Sequence, residues 1–159
     1  MPQVLEGALE GRDHRFAVVV SRYNESITAR LLEGAIETLV EAGVADASVH
    51  VAWVPGAWEI PLVADKLACT QDYAGVICLG AVIRGETQHD QYINRQVSDS
   101  LGEIALSTGV PIGFGLLTCE SLEQAIQRAG GAVGNKGVEC AQAVLRMADL
   151  LRRLPSLNR

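Results

Sequence analysis

Short apolar runs alternate with helix-like segments along nearly the whole chain, and this alternation limits the folds open to it. Segments with apolar residues at helical spacing span 27–40, 58–68, 93–104, 120–129 and about 136–154. Four intervening runs have the length and composition of buried strands: RFAVVVS (15–21), SVHVAWV (48–54), YAGVICL (73–79) and IGFGLL (112–117). Such alternation is typical of a parallel sheet covered by helices on both faces. We therefore predict an α/β fold, a three-layer αβα sandwich with a four-stranded parallel sheet.

The segments outside this pattern set the domain organisation. Residues 1–14 are polar and contain two glycines, which predicts an N-terminal arm that is either disordered or lent as a strand to a neighbouring subunit. At a length of 159 residues, 15–159 is predicted to be a single domain. Asn24 or Ser26 is expected to cap the first helix with its side chain. The glycines at 130, 131 and 134 are expected to form a flexible turn.

Composition excludes several classes of function. The net charge is −6 and the pI about 5.0, with no basic run beyond Arg152–Arg153, which argues against nucleic-acid binding and against an anionic membrane surface. No apolar run approaches the ~18 residues of a membrane span, and no signal peptide is seen. The four cysteines lack C-x-x-C spacing, so we expect no metal site and a reduced, cytoplasmic protein. Hydrophobic residues make up 48% of the chain, which suits either subunit interfaces or a tightly packed α/β core.

The run GAVIRGETQH (80–89) follows the third predicted strand and combines glycines with a histidine. Gly80 and Gly85 are expected to free the backbone, so that the amides of residues 85–87 converge on an anion. His89 at the end of the run is suited to proton transfer near neutral pH. The alternative is a glycine-rich turn followed by a histidine at a helix entry.

Further polar and aromatic residues follow the other predicted strands. The carboxyl ends of parallel strands meet at one edge of a sheet, where ligands bind. Tyr23 and Trp58 offer flat faces for a planar heterocycle, and Glu59 can accept hydrogen bonds from hydroxyl groups or interact with a helix N-terminus. Arg84 and Arg128 are either phosphate partners or surface charges. Their meeting at one edge favours an active site for a phosphorylated substrate.

Six ordered blocks resemble the 6,7-dimethyl-8-ribityllumazine synthase family and cover nearly all of the chain from residue 15 onward. They are RYNESIT (22–28), LLEGAIETL (31–39), VPGAWEIP (54–61), LGAVIRGETQH (79–89), GVPIGFGLLT (109–118) and EQAIQRAGGAVGNKGVE (123–139). The resemblance implies a flavodoxin-like fold and a transferase of riboflavin biosynthesis. This enzyme joins 5-amino-6-(ribitylamino)uracil to 3,4-dihydroxy-2-butanone 4-phosphate in the penultimate step, without a metal or organic cofactor.

The resemblance also implies roles for thirteen residues, each at the position that matches the family's motif. His89 would transfer protons and Tyr23 would stack on the pyrimidine. Ala57, Trp58 and Glu59 would hold the ribityl chain, and the backbones of Ala81, Val82 and Ile83 would face the uracil ring. Glu86, Thr87 and Arg128 would bind the phosphate, Lys136 would assist near it, and Phe114 would reach the ring from an adjacent subunit.

Assembly and rival functions stay open at this point. The resemblance implies a homopentamer with interfacial active sites, and a decamer or a hollow icosahedral shell is also open; riboflavin synthase is a possible partner. Two alternatives are a non-catalytic flavin or lumazine carrier and a riboflavin synthase of the same fold. Asp90 departs from the aromatic residue that the family usually has there. A carboxylate at this position either favours the charged form of His89 or faces solvent, and we expect it to face solvent.

Overall fold

The computed structural model describes residues 1–155, so the last four residues of the predicted domain lie outside it. The strands are β1 Phe16–Ser21, β2 Val49–Val54, β3 Gly75–Ile83, β4 Ile112–Cys119, β5 Ala129–Gly131 and β6 Gly134–Asn135. The α-helices are α1 Glu25–Glu41, α2 Ile60–Cys69, α3 His89–Thr108, α4 Leu122–Arg128 and α5 Lys136–Arg153. Two short 3₁₀ helices, Asp46–Ser48 and Ala57–Glu59, flank β2.

The main sheet confirms the predicted fold class. Its four strands are all parallel and lie in the order β2-β1-β3-β4. Alternate residues of the fully buried central strand β1 enter two separate cores, because successive side chains of a strand point to opposite faces. Phe16, Val18 and Val20 pack in the core beneath α1 and α5, whereas Ala17 and Val19 pack in the core beneath α2 and α3. Helices therefore cover both faces of the sheet.

Strand β3 is longer than predicted, since it continues through Gly80 to Ile83 instead of ending at Leu79. Gly80 was expected to start a loop, but it pairs with Leu116 of β4 and is buried. A Cβ at Gly80 would lie 2.7 Å from the Leu116 side chain and 3.3 Å from that of Ile60. The glycine thus permits tight packing within a strand, and the loop that carries the candidate site begins four residues later than expected.

Two glycines of β4 allow close approach by the neighbouring elements. A Cβ on Gly113 would lie 2.5 Å from Cys140 Sγ on α5, and one on Gly115 would lie 2.8 Å from the Cys78 carbonyl oxygen. Helix α5 and strand β3 therefore pack directly on the β4 backbone. The same packing encloses Cys78 and Cys140, and burial raises the pKa of the Cys140 thiol to about 12 and that of Cys78 well above its ordinary value.

The N-terminal arm lies against α5 and contains no helix or strand. The Ala8 N–H donates a hydrogen bond of 2.7 Å to the buried carboxylate of Asp149. This bond and the guanidinium groups of Arg153 and Arg152, at 2.8 and 3.2 Å, hold the pKa of Asp149 below its ordinary value. The arm is thus anchored to its own chain at the C-terminal end of the fold.

The segment between α4 and α5 contains more structure than the flexible turn that its glycines predicted. It forms the small antiparallel pair β5–β6, with Gly130 and Gly134 at positive φ values of 104° and 105°. The Asn135 side chain then caps α5 by accepting hydrogen bonds from the N–H groups of Gly137 and Val138. Of the helices within 1–155, none is long and apolar enough to cross a membrane.

Candidate active site

A cavity of about 470 Å³ opens where the carboxyl ends of β1, β2 and β3 meet the start of α3. It brings together nine of the thirteen residues that the sequence suggested, namely Tyr23, Ala57, Trp58, Glu59, Ala81, Val82, Ile83, Thr87 and His89. Five others complete the lining: Pro55, Gly56, Gly85, Asp90 and Ile93. We call this the main cavity.

The two aromatic residues of the main cavity present their rings to solvent. Tyr23 is 72% exposed and Trp58 is 58% exposed, which excludes the alternative that they pack in the core of this chain. Trp58 lies on the 3₁₀ helix Ala57–Glu59, which leads into α2 and places Glu59 beside it. Two flat apolar surfaces and a carboxylate are thus available at the mouth of one cavity.

Backbone hydrogen bonds between neighbouring strands fix the turn that carries Tyr23. The Tyr23 N–H donates to the Pro55 carbonyl at 3.0 Å. Asn24 adopts the left-handed conformation (φ 62°, ψ 44°), and its Nδ2 donates to the Ala81 carbonyl at 2.9 Å. The expectation that the Asn24 side chain caps α1 is therefore wrong, because that side chain joins the ends of β1 and β3. Sequence reasoning missed this role, since the partner is 57 residues away.

The loop between β3 and α3 also differs from its prediction. Positive φ angles occur at Gly43, Gly109, Gly130 and Gly134 among the described glycines, and thus at neither Gly80 nor Gly85. A Cβ on Gly85 would meet nothing within 4 Å. The conformational argument for an anion-binding loop is therefore wrong for these glycines. Gly85 and Thr87 line the main cavity, whereas Glu86 is exposed outside its lining.

His89 is the first residue of α3 and its side chain lies at the rim of the main cavity. Its backbone N–H points to Thr87 Oγ1 at 3.4 Å, a long and therefore weak contact. The neighbouring Asp90 was expected to face solvent, but it is only 9% exposed and lines the cavity. That expectation is wrong because Asp90 occupies the buried face of α3, four residues before Asn94 and seven before the core residue Val97.

Three further predicted residues lie elsewhere on the chain. Arg128 and Lys136 share a second cavity of about 320 Å³ with Thr118 and Glu139. Phe114 on the edge strand β4 is 46% exposed and borders a third cavity of about 300 Å³, which Lys136 also lines. Within one chain, the predicted site residues therefore fall into two groups, one at the main cavity and one at the second and third cavities.

The arginines of the candidate site differ in their partners. Arg84 forms an exposed ion pair with Glu120 at 3.3 Å. This contact agrees with the alternative that Arg84 is a surface charge and not a phosphate partner. Arg128 approaches Cys119 Sγ at 3.9 Å, and within residues 1–155 neither it nor Lys136 is ion-paired with a carboxylate. The second cavity thus carries two cations that are available to an anion. In that same part of the chain, no group of three or more His, Cys, Asp or Glu side chains could hold a metal ion.

The fold and the main cavity define the class of protein. It has an α/β fold with a cavity at the carboxyl edge of its parallel sheet, the position where enzymes of this architecture bind small ligands. The family model for 6,7-dimethyl-8-ribityllumazine synthase matches residues 13–152. A 6,7-dimethyl-8-ribityllumazine synthase of Syntrophus aciditrophicus (strain SB) is 49% identical over 154 residues, which are 97% of this chain and 100% of that protein.

The chain belongs to the 6,7-dimethyl-8-ribityllumazine synthase family. The resemblance seen in the sequence is therefore confirmed, as is the flavodoxin-like fold. The family makes the chain a transferase of riboflavin biosynthesis, and the non-catalytic carrier is not favoured.

Proposed function

We propose that the chain joins 5-amino-6-(ribitylamino)uracil to 3,4-dihydroxy-2-butanone 4-phosphate, and that the main cavity binds the uracil substrate. The observation that carries this proposal is the gathering of nine predicted residues around one cavity at the edge of the sheet. In the reaction, the 5-amino group attacks the ketone and loses water to form an imine, phosphate is eliminated, and the second amine closes the ring with loss of a second water. The product is 6,7-dimethyl-8-ribityllumazine.

The uracil substrate would lie between groups that suit its two parts. The exposed ring of Tyr23 would stack on the planar pyrimidine, and the backbone groups of residues 81–83 would face the edge of that ring. Ala57, Trp58 and Glu59 would hold the ribityl chain, with the Glu59 carboxylate accepting hydrogen bonds from hydroxyl groups.

The phosphorylated substrate would bind beside His89. The backbone N–H groups of Glu86 and Thr87 would contact the phosphate from the loop that precedes α3, and His89 would move protons between the amine, the ketone and the leaving groups. The compensating positive charge would come from Arg128 and Lys136, whose side chains lack a carboxylate partner in residues 1–155. Because amines and ketones condense readily, positioning would supply much of the rate.

We propose that the two groups of site residues meet between subunits. Arg128, Lys136 and Phe114 border cavities other than the main one within a chain, so an adjacent subunit would bring them to it. Large apolar side chains are exposed over the same surface, including Phe114 at 46% and Val133 at 70%. Such exposure is typical of subunit interfaces. A homopentamer, alone or as the unit of a decamer or icosahedral shell, fits this arrangement.

The proposed compartment is the cytoplasm. Cys69, Cys78, Cys119 and Cys140 are all free thiols, which suits a reducing environment. The proposed partner is riboflavin synthase, because that enzyme consumes the lumazine that this chain would make.

A two-substrate assay without added metal tests the catalytic proposal. Lumazine formation is followed by absorbance, and we expect turnover by the purified protein. His89→Ala should lower kcat by about 10–100-fold. This loss is at or below the low end of the usual effect of removing a general acid–base, because the substrates are still positioned.

His50→Ala is the matched control. His50 lies on β2, outside the lining of the main cavity, and its Nδ1 is 2.7 Å from the Tyr73 hydroxyl oxygen. An unchanged rate in His89→Ala would remove its proton-transfer role, and riboflavin binding without turnover would select the carrier.

A further inference from the structure

Three side-chain oxygens within residues 1–155 are buried without a hydrogen-bond partner: Ser21 Oγ, Asp90 Oδ1 and Asn94 Oδ1. All three belong to elements on the α2–α3 side of the sheet, near the carboxyl ends of its strands. Ser21 ends β1, and its Oγ would lie 3.3 Å from a Cβ on Gly80. Unpaired buried oxygens are uncommon, and a carboxylate is the most unfavourable of them to leave unpaired. Each of the three oxygens therefore lacks a donor that the described residues could supply.

Asp90 stands out because it also lines the main cavity. It occupies the first turn of α3 and is 9% exposed, and Asn94 lies one turn further along the same face. The next residues of that stripe, Val97 and Leu101, pack in the hydrophobic core. The buried stripe of α3 thus becomes polar where it reaches the cavity. An apolar residue at position 90 would continue the core, so folding alone does not explain the carboxylate.

The histidine beside it cannot supply the missing partner. Consecutive residues of a helix point about 100° apart, so the side chains of His89 and Asp90 do not face each other. His89 is exposed whereas Asp90 is buried, in agreement with this geometry. His89 is therefore not the donor for Asp90, and the cavity that Asp90 lines gives a bound molecule access to this residue.

We propose that Asp90 binds the polyol chain of the uracil substrate, as a second carboxylate in addition to Glu59. This inference rests on the proposed function. Helix α3 packs against the 3₁₀ helix Ala57–Glu59, so Asp90 lies on an element next to the turn assigned to the ribityl group. Carboxylates accept strong hydrogen bonds from hydroxyl groups, and two of them in the lining of one cavity would hold a polyol at two points.

The charge of Asp90 also excludes the other substrate from this position. A phosphate is an anion with acceptor oxygens, and a buried carboxylate would repel it. The ribityl chain is uncharged and carries hydroxyl donors. Asp90 therefore orients the two substrates in the cavity, because its carboxylate accepts hydrogen bonds from the ribityl hydroxyl groups and repels the phosphate.

Equilibrium binding of two unreactive ligands tests this assignment. Both ligands lack the 5-amino group; one is 6-(ribitylamino)uracil, and the other carries a pentyl chain without hydroxyl groups. Asp90→Asn should weaken the ribityl ligand about tenfold, the loss expected for one hydrogen bond to a charged group, and leave the pentyl ligand unchanged. Equal losses for both ligands, or no loss for either, would overturn the assignment. Absence of turnover by the wild-type protein in the two-substrate assay would instead contradict the proposed function.

Stability separates this role from a structural one. Because Asp90 Oδ1 has no hydrogen-bond partner among residues 1–155, Asp90→Asn should keep the thermal midpoint or raise it. Asp99→Asn is the matched control, since it removes the same charge from an exposed position of α3 and should alter neither ligand's affinity. A fall in the midpoint of more than about 5 °C, or dissociation of the assembly, would show that the carboxylate serves the fold or an interface and would overturn the proposal.

Discussion

Asn24 shows how one side chain shapes the candidate site without belonging to its predicted lining. Its left-handed backbone turns the chain from β1 into α1, and its amide holds the Ala81 carbonyl at the end of β3. Tyr23 precedes it, and both Tyr23 and Ala81 line the main cavity. Asparagine suits this position because it tolerates positive φ better than most residues and carries a donor.

Two substitutions at position 24 should separate the backbone from the hydrogen bond. Asn24→Gly keeps the φ of 62° without strain and loses the bond to Ala81, which should lower the free energy of unfolding by about 1 kcal/mol. Asn24→Ala loses the bond and adds strain, so it should lose about 1 kcal/mol more. Urea denaturation measures both values, and a raised KM for the uracil substrate should accompany them.

The control for this pair is Asp13→Gly, because Asp13 has a similar φ of 67° far from the cavity. It should leave KM unchanged. Equal stability of Asn24→Gly and Asn24→Ala would contradict the strain argument, and an unchanged KM in both would show that the Ala81 bond does not shape the site.

Residue-level patterns predicted the identity of the cavity lining better than its internal contacts. Tyr23, Trp58 and Glu59 could be placed because each lies within about five residues of the end of a predicted strand. The Asn24 bond and the burial of Asp90 depend on which face of an element meets which neighbour across many residues. That information is spread over the whole fold, so local spacing does not contain it.

At the scale of elements, the packing of α5 on the sheet depends on β4 lacking side chains at two positions. Gly115 lies against the Cys78 carbonyl and Gly113 lies against Cys140. Contacts with backbone atoms cannot be relieved by a change of rotamer. Strand β4 can therefore accept an added methyl group at Gly115 only if β3 moves.

Gly115→Ala should consequently lower the free energy of unfolding by at least about 2 kcal/mol, or prevent folding. Gly102→Ala is the matched control on α3, where a Cβ would meet nothing within 4 Å. That change should stabilise the protein by up to about 1 kcal/mol, because alanine is the better helix former. Chemical denaturation measures the change in the free energy of unfolding for both variants. An unchanged free energy of unfolding in Gly115→Ala would contradict the close packing described for β4.

The elements themselves could be predicted closely, and the largest errors fall in glycine-rich stretches. The sequence pattern ends β3 at Leu79 because Gly80 resembles a chain breaker, yet that glycine accommodates Leu116 inside the sheet. The β5–β6 pair was missed for the same reason, since its glycines suggested a flexible turn. Glycine permits both turns and close packing, and the neighbours decide between them.

For the whole molecule, the division of the predicted residues between separate cavities has a direct consequence for mixed assemblies. If each site takes its main cavity from one subunit and Arg128 from the next, two defective variants can complement each other. In a random 1:1 assembly of His89→Ala and Arg128→Ala subunits, about one site in four would pair an intact cavity with an intact arginine. The mixed assembly should therefore be more active than either parent variant, and the gain should be about a quarter of the wild-type activity.

Co-expression followed by the two-substrate assay measures this gain. The control pairs His89→Ala with Glu59→Ala, whose residues line the same cavity, so no site is intact and no gain is expected. A mixture of His89→Ala and Arg128→Ala no more active than its parents would place both residues within one subunit's site. Single-chain sequence patterns could not predict where the two groups of site residues meet, because that depends on the arrangement of copies.

The distribution of thiols offers a route to counting those copies. Cys78, Cys119 and Cys140 are buried, while Cys69 at the end of α2 is exposed. Thiolates, not thiols, react with maleimides, so the raised pKa values of Cys78 and Cys140 protect them further. A fluorescent maleimide would therefore attach once per chain, at the native Cys69. Stepwise photobleaching of single particles would then count the dyes, and thus the subunits, in each particle. Five steps would indicate a pentamer, ten a decamer, and many more a shell.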